Sequence, residues 1–437
     1  MTDHRHLAGA LADAMLAGPW NPGSLLYRMS RVIGRRPVWL TALAAEVVAA
    51  YPRAPSDRPR ELTAFVLQSR AFERFPAAPS PRIAVRLTTV TTTVRRPFHT
   101  PALDDVGRLA DRLGITVDDV MTLADTRLIA RRARSERLAH YRYRWLERPG
   151  GGRLLETPKP RLKALQRVVL DELLAPIPVH PAAHGFVGGR SARTGAALHV
   201  GADVVITLDL EHFFAAISAG RIWGVLRSAG YPEPVAHVLT GLMTHAAPGS
   251  ALAGMPTGPD PGRDFRLRRR LAAPHLPQGA PTSPQLANLA AFALDRRLAA
   301  YAQACGAAYT RYADDLSFSG GTDLARRSAA FVAGVGSIVN QSGFLLNQAK
   351  TRCRRRSQRQ VVTGIVVNAD TTLPRPDIDR LRAILHQCRT TGPAAANREQ
   401  LPDFRSHVLG RISWATAVNP VKGAKLRRAF DMIDWGR

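Results

Sequence analysis

Residues 309–319 read YTRYADDLSFS: two strand-forming runs meet at a pair of adjacent aspartates. Aromatic and β-branched residues favour extended backbone, and Asp favours tight turns, so the segment predicts a β-hairpin with Asp314 and Asp315 at its bend. A second segment, ADVVITLDL (202–210), is an apolar run ending in an acid and predicts a buried strand that closes on Asp209. A charged side chain in such a setting needs something to pair with. Two aspartates at a bend can aim their carboxylates at one spot, and a third can reach it from a neighbouring strand. Three convergent carboxylates form a hard-oxygen site suited to Mg²⁺. Two such ions can clamp an in-line phosphoryl transfer. An isolated Asp-Asp pair is more often an ordinary acidic turn, so these residues alone leave both readings open.

Charge narrows the choice. The 437 residues carry 61 Lys plus Arg against 34 Asp plus Glu, a net +27, which points to a polyanionic partner. The basic residues cluster. Arg131, Arg132, Arg134, Arg137, Arg142, Arg144 and Arg148 are interleaved with Tyr141, Tyr143 and Trp145; Arg266 to Arg270 and Arg352 to Arg359 form two further groups. Arg beside aromatics can neutralise phosphates and stack on bases; the plainer reading is an exposed basic stripe. Cys305, Cys353 and Cys388 are scattered without metal-ligand spacing, which fits a reducing compartment. No apolar run is long enough to span a bilayer, and the N-terminus lacks a signal-peptide core, so a soluble, cytoplasmic protein without a membrane partner is expected.

The length suits two to four lobes, and 45% hydrophobic residues supply real cores. Residues 1–100 predict a separate, mainly helical extension, with Leu7, Leu11 and Met15, then Val38, Leu43 and Val47, at helical spacing. IAVRLTTVTTTV (83–94) has strand composition. Residues 102–125 predict two short helices joined at Gly114, with Val106, Leu109 and Leu113, then Val117 and Met121, on one side. They are either a packing pair, the favoured reading, or a helix-turn-helix on duplex DNA. Residues 246–263 predict a loop insertion, 361–368 a short strand pair, and the residues after Asn368 a basic helical tail with Leu381, Ile384 and Leu385 at helical spacing.

The acidic hairpin does not stand alone. TRYADDLSFSG (310–320), ITLDLEHFFAAIS (206–218), LPQGAPTSPQLANL (276–289), GFLLNQAKTR (343–352) and QVVTGIVVN (360–368), with GGGRLLETPKPRLKALQR (150–167) and HGFVGGRSARTGAALH (184–199), follow one another in the order of reverse transcriptase motifs. Over roughly 135–437 the chain resembles that family, specifically its bacterial retron type. The resemblance implies an α+β right-hand polymerase: an N-terminal extension (1–100), N-terminal helices and fingers (101–205), an antiparallel palm (206–368, with an insertion at about 220–275) and a helical thumb (369–437).

It also implies roles. Asp209, Asp314 and Asp315, with the carbonyl of Leu210, would hold two Mg²⁺ ions, Mn²⁺ being an alternative. Phe214 would sit under the sugar of the incoming nucleotide and refuse a 2′-hydroxyl. One of Phe213 and Phe214 would be core, strand alternation sending them to opposite faces. Gln278, and Gly279 with its close backbone approach, would meet the nucleotide at the start of a helix. Arg153 would meet the triphosphate, and Lys163, Arg190 and Tyr312 template or primer. Lys350 would assist the departing pyrophosphate, with an exposed lysine as the plainer reading. VTG at 362–364 matches a retron-associated segment. GAALH, ending at His199, departs from the retron NAxxH motif at Gly195, and His199 reads as structural.

The implied activity is RNA-directed DNA synthesis from dNTPs. The implied partner is a structured non-coding RNA, template and primer at once, with its cDNA as RNA-linked single-stranded DNA (msDNA), in antiphage defence with an effector encoded nearby. The alternatives are another bacterial defence or group II intron-like reverse transcriptase, against which the lack of a visible endonuclease segment counts for intron mobility, and a non-catalytic RNA-binding scaffold.

Overall fold

Strand-forming residues at 204–209, 307–312, 315–320 and 352–355 assemble into one antiparallel sheet, and most of the other described residues are helical. The structure, a computed structural model, describes residues 2–73, 83–87, 96–131, 139–148 and 151–435. It divides into two units, residues 1–177 with 217–283 and residues 178–216 with 284–437.

The first unit begins with helices Thr2–Leu16, Pro22–Ile33, Trp39–Ala50 and Pro59–Gln68. Asn21 caps the second by accepting from Ser24 N, and Gly34 ends it at φ 75°. Leu11, Met15, Leu25, Met29, Leu40, Leu43 and Leu62 meet in a closed core. Val38, expected on the buried face, is 89% exposed because the helix starts one residue after it. These helices are tied to residues 217–283. Glu233 Oε2 accepts from Arg60 N at 2.7 Å, and Arg227 Nη2 meets Asp57 Oδ2 at 2.5 Å. Of the strand expected over 83–94, residues 83–87 show no regular pairing and 88–94 lie outside the described residues, as do Arg132, Arg134 and Arg137.

Helices Val106–Leu113 and Val117–Ala124 form as expected, capped by Asp105 and Thr116. The second buries Val120, Leu123 and Ala124, while Val117 and Met121 stay exposed. Its packing partner is helix Glu233–Met243, approached so closely that a Cβ on Gly241 would stand 2.3 Å from Ala124 O. The pair is therefore built as a packing pair. Strands β1 (Tyr141–Arg148) and β2 (Gly151–Pro158) form a hairpin. Its aromatics do not face outward. Alternation turns Tyr141, Tyr143 and Trp145 inward and leaves Arg142 and Arg144 exposed. Tyr141 stacks on His245 at 4.1 Å, and Trp145 Nε1 donates to Ala251 O at 2.8 Å. Within 246–263, expected as loop, residues Gly249–Ala253 form a short helix and Pro261 starts another that runs to Leu271.

In the second unit β3 (Val204–Asp209), β4 (Ala307–Tyr312), β5 (Asp315–Gly320) and β6 (Arg352–Arg355) give the order β4-β5-β3-β6. Tyr309 stacks on Phe318 within the sheet, Tyr301 stacks on Phe331 between helices Phe292–Ala304 and Ser328–Gln341, and Phe318 meets Phe331 edge-on, joining the sheet to those helices. The expected strand pair is β7 (Val361–Val362) with β8 (Ile365–Val366), turned by Thr363 at φ 47° and Gly364 at φ 83°. Helices Arg375–Thr391, Phe404–Val418 and Pro420–Asp431 share a core of Ile378, Leu381, Leu385, Val408, Ile412, Leu426 and Phe430; Ile384 is only half-buried. The α+β class is as the sequence implied.

Candidate active site

The sheet register brings the acids together. Asp209 is directly opposite Asp315 across β3 and β5, and Leu210 N donates to Asp314 O at 2.9 Å. Ala313, at φ 55°, makes the tight bend that presents both aspartates. Asp209 is buried at 5% exposure, whereas Asp314 and Asp315 face more open space. Although the outer surface of Asp315 is exposed, the protein packed behind its carboxyl, then the charges of Asp314 and Asp209, push it up to about 6, with Lys350 pulling the other way.

Two donors already hold Asp209. Lys350 Nζ meets Oδ2 at 2.8 Å, and Asn347 Nδ2 donates to Oδ1 at 3.2 Å. The backbone sets both: Asn347 N donates to Asp209 O at 2.8 Å, and Glu211 N to Leu345 O at 2.7 Å, lacing the 345–350 turn to the end of β3. Lys350 lies in a one-turn 3₁₀ segment, and its side chain is 59% exposed. Among the described residues no three His, Cys, Asp or Glu side chains stand at mutual metal-ligand geometry. The donor set still fits divalent metal. Three hard-oxygen carboxylates repel one another at one strand end, and an ammonium, itself exchangeable, is the counter-charge beside them.

A buried network stands behind the bend. Arg311, wholly buried, meets Asp295 through Nε–Oδ1 at 2.7 Å and Nη2–Oδ2 at 2.6 Å. Its Nη1 donates to Asn288 Oδ1 and to Ala313 O, both at 3.0 Å. Tyr309 Oη donates to Asp295 Oδ1 at 2.8 Å, and Asn288 Nδ2 to Gly185 O at 2.9 Å. Gly185 has no room for a side chain: a Cβ would stand 2.7 Å from Ala313 N. Neither Arg311 nor Asp295, Asn288 or Asn347 was singled out from sequence. The available signal was an amide and a terminal acid, Asn288 and Asp295, in the otherwise apolar segment LANLAAFALD.

Phe213 and Phe214 lie on a helical turn, Phe213–Ala216, and not on the strand. They still diverge: Phe213 is core at 3% exposure, under the Arg311 guanidinium at 5.7 Å. Phe214 is half-buried, its ring 6.2 Å from that of Phe186, which is itself 6.3 Å from Tyr312. His199 is fully enclosed, with Nδ1 on Ser319 Oγ and Nε2 on Thr310 Oγ1, both at 2.7 Å. Burial, then the charge of His184, takes its imidazole down to about 4, as suits a neutral structural bridge. A Cβ on Gly195 would meet the His184 side chain at 3.3 Å, so a larger residue there would press on that ring. Arg190 Nη1 donates to His180 O, Pro181 O and Ala183 O, which makes it a clasp of its own loop before any contact with template.

In the other unit, Gly279 adopts φ 126°, and a Cβ there would stand 3.0 Å from Glu156 O. Gln278 is half-buried, and Glu156 N donates to its carbonyl at 2.7 Å. Both residues lie in a loop; the helix expected to begin with them starts at Ser283. Beneath them Glu156 Oε2 meets His275 Nε2 at 2.8 Å, both side chains closed to solvent. Arg153, on β2, and Lys163, on helix Pro160–Val168, are half-buried.

Residues 146–367 match the family described as "Reverse transcriptase (RNA-dependent DNA polymerase)". The chain is 42% identical over 299 residues to the retron Mx65 reverse transcriptase of Myxococcus xanthus, covering 67% of this chain and 65% of the relative. It is 37% identical to the retron Mx162 reverse transcriptase of the same organism, covering 75% and 66%. It is 32% identical to the retron Ec86 reverse transcriptase of Escherichia coli, covering 57% and 70%. The chain thus spans about two thirds of the length of these relatives. No helix among the described residues is long and apolar enough to cross a membrane. The matched span holds Asp209, Asp314 and Asp315 together with the hairpin that presents them, and the chain belongs to the reverse transcriptase family, within it to the retron type.

Proposed function

We propose that the chain is an RNA-directed DNA polymerase of the retron kind, making RNA-linked single-stranded DNA on a structured non-coding RNA that serves as template and primer. The observation that carries this reading is the register Asp209 opposite Asp315, with Asp314 bonded through its carbonyl to the end of the same strand. In this reading the three carboxylates hold two Mg²⁺ ions. When bound, the metal supplies charge neutralisation at the triphosphate and a more acidic 3′-hydroxyl.

The chain's own residues do the positioning. Arg311 fixes the Ala313 bend, so the carboxylates are held before substrate arrives. Lys350, an ammonium on a four-carbon stem beside Asp209, would be placed to give a proton to departing pyrophosphate were Asp209 to take a cation instead. Phe214, between core Phe213 and exposed Phe186, is the sugar gate. Gly279 admits the nucleotide to the backbone, Gln278 offers donor and acceptor, and Arg153 takes the triphosphate; Lys163 and Tyr312 contact template and primer. The 369–437 helices act as thumb. Cytoplasmic residence and antiphage action with a neighbouring effector complete the proposal.

The test is primer extension on a supplied RNA template. The wild-type chain should extend with dNTPs, and Asp314→Asn should abolish extension while leaving RNA affinity within about twofold, since no basic residue is altered. Extension by Asp314→Asn would refute the assignment.

A further inference from the structure

A cavity of about 400 Å³ opens in the first unit, within the range of small-ligand sites, and the catalytic proposal makes no use of it. Helix Glu233–Met243 forms its floor with Gly241 and Thr240; Trp223 and the stacked pair Tyr141–His245 give it aromatic walls. Arg60, from the N-terminal helices, and Arg131 are exposed and line it too.

Two acids, Glu233 and Asp125, and two arginines, Arg60 and Arg131, share its lining. The wall acids are already engaged by main-chain amides. Glu233 Oε2 accepts from Arg60 N at 2.7 Å, and the Asp125 carboxylate accepts from Ile129 N at 2.7 Å and Ala130 N at 3.0 Å. The wall imidazoles are neutral. Burial takes His245 down to about 3, with Nε2 on Tyr143 Oη at 2.7 Å, and burial lowers His237 and His140 as well. The acids are thus held by the main chain, and the rest of the lining offers neutral hydrogen-bonding groups, aromatic rings and the two guanidinium groups.

We propose that this cavity is a nucleotide-binding site, taking a base between Trp223 and the Tyr141–His245 stack and its phosphate on Arg60 and Arg131. Flat rings stack on aromatic walls, neutral imidazole and threonine offer both donors and acceptors to a base edge, and guanidinium is the residue chemistry that matches phosphate. The ligand is either a free mononucleotide or an unpaired nucleotide of a bound RNA strand; the recognition chemistry is shared.

The experiment uses the full chain, with Trp223→Ala, Arg60→Ala and the ring-preserving Trp223→Phe, each checked for an unchanged melting curve. In one arm AMP, GMP, CMP and UMP are titrated by calorimetry without divalent cation. In the other, an unstructured RNA of about 20 nucleotides bearing 4-thiouridine is cross-linked and the peptides mapped. We expect loss of about tenfold or more in mononucleotide affinity for Trp223→Ala and Arg60→Ala with Trp223→Phe near wild type, or a cross-link to peptides containing Trp223 or His237 that both alanine variants lose. The first result identifies a free nucleotide, the second a nucleotide of the RNA strand. If neither occurs, so that binding is unaffected by the variants or absent and no cross-link maps to the cavity, the proposal is overturned. Primer extension reads the catalytic proposal separately, so failure of one is distinguishable from failure of the other.

Discussion

Replacing Arg311 by Met separates the energetic and functional roles of the network behind the aspartate bend. Arg311 and Asp295 both have 0% side-chain exposure and are joined by two hydrogen bonds of 2.6 and 2.7 Å. Arg311→Met leaves the Asp295 carboxylate buried with the Tyr309 hydroxyl still donating to it, and removing one partner of a buried pair costs about 3–5 kcal/mol. Hydrogen exchange of the peptide spanning β4 and β5 reads this directly: each ~1.36 kcal/mol is tenfold in protection, so protection there should fall roughly 150- to 5,000-fold. Adding Asp295→Leu removes the orphaned charge. Stability should then return to within about 1–3 kcal/mol of wild type, the remainder being the unpartnered Tyr309 hydroxyl. Activity should not return with it, because the Arg311 bonds to Ala313 O and Asn288 Oδ1 are still missing. If the single variant costs less than about 1 kcal/mol, or the double variant costs the sum of both singles, the charge-pair reasoning is wrong. If the double variant polymerises at the wild-type rate, the positioning role is wrong.

Four further outcomes are expected. Phe214→Ala should lower the dNTP-over-rNTP ratio of kcat/KM by about tenfold or more, read by single-nucleotide extension; an unchanged ratio removes the gate from this residue. Because Asp315 is raised to about 6, the metal-free chain should hold a proton there below that pH. Mg²⁺ binding should then release a proton at pH 5.5 and none at pH 8, measured by calorimetry in buffers of different ionisation enthalpy. The same raised group contributes stability at low pH that is lost as pH rises from about 4 through 6, and Asp315→Asn should flatten that slope. His199 has the opposite sign. Its folded value of about 4 is below the ordinary one, so its contribution is present above about 6.5 and lost as pH falls through 4. His199→Ala should cost about 1–3 kcal/mol of stability for each of the two hydroxyls left behind, read as a lower melting temperature, without changing dNTP KM.

The parts legible in the sequence are those fixed by local periodicity. The two-residue period and the turn chemistry of YTRYADDLSFS and ADVVITLDL were enough to anticipate strands ending in acids, and β3 and β5 pair so that Asp209 meets Asp315. Val361–Val366 turned at Thr363 and Gly364 for the same reason. What could not be read depends on partners distant in sequence. Arg311 looks like one more arginine in a chain of net +27, and its burial rests on the counter-charge of Asp295, sixteen residues away, with Asn288 and the Ala313 carbonyl taking its remaining bonds. Tyr141, Tyr143 and Trp145 match a base-stacking pattern, yet residues around 245 and 251 claim them as core. Lys350 reads equally well as exposed or catalytic; its bond to Asp209 follows from the main-chain lacing of 345–350 to β3, which no local pattern encodes.

The most direct test of the account is the nucleic acid that co-purifies with the chain expressed from its native locus, compared with Asp314→Asn. Treated separately with RNase and DNase, the wild-type material should contain a discrete short DNA joined to RNA, absent from the variant. The same product in both, or no DNA with either and no extension on supplied RNA, would contradict it.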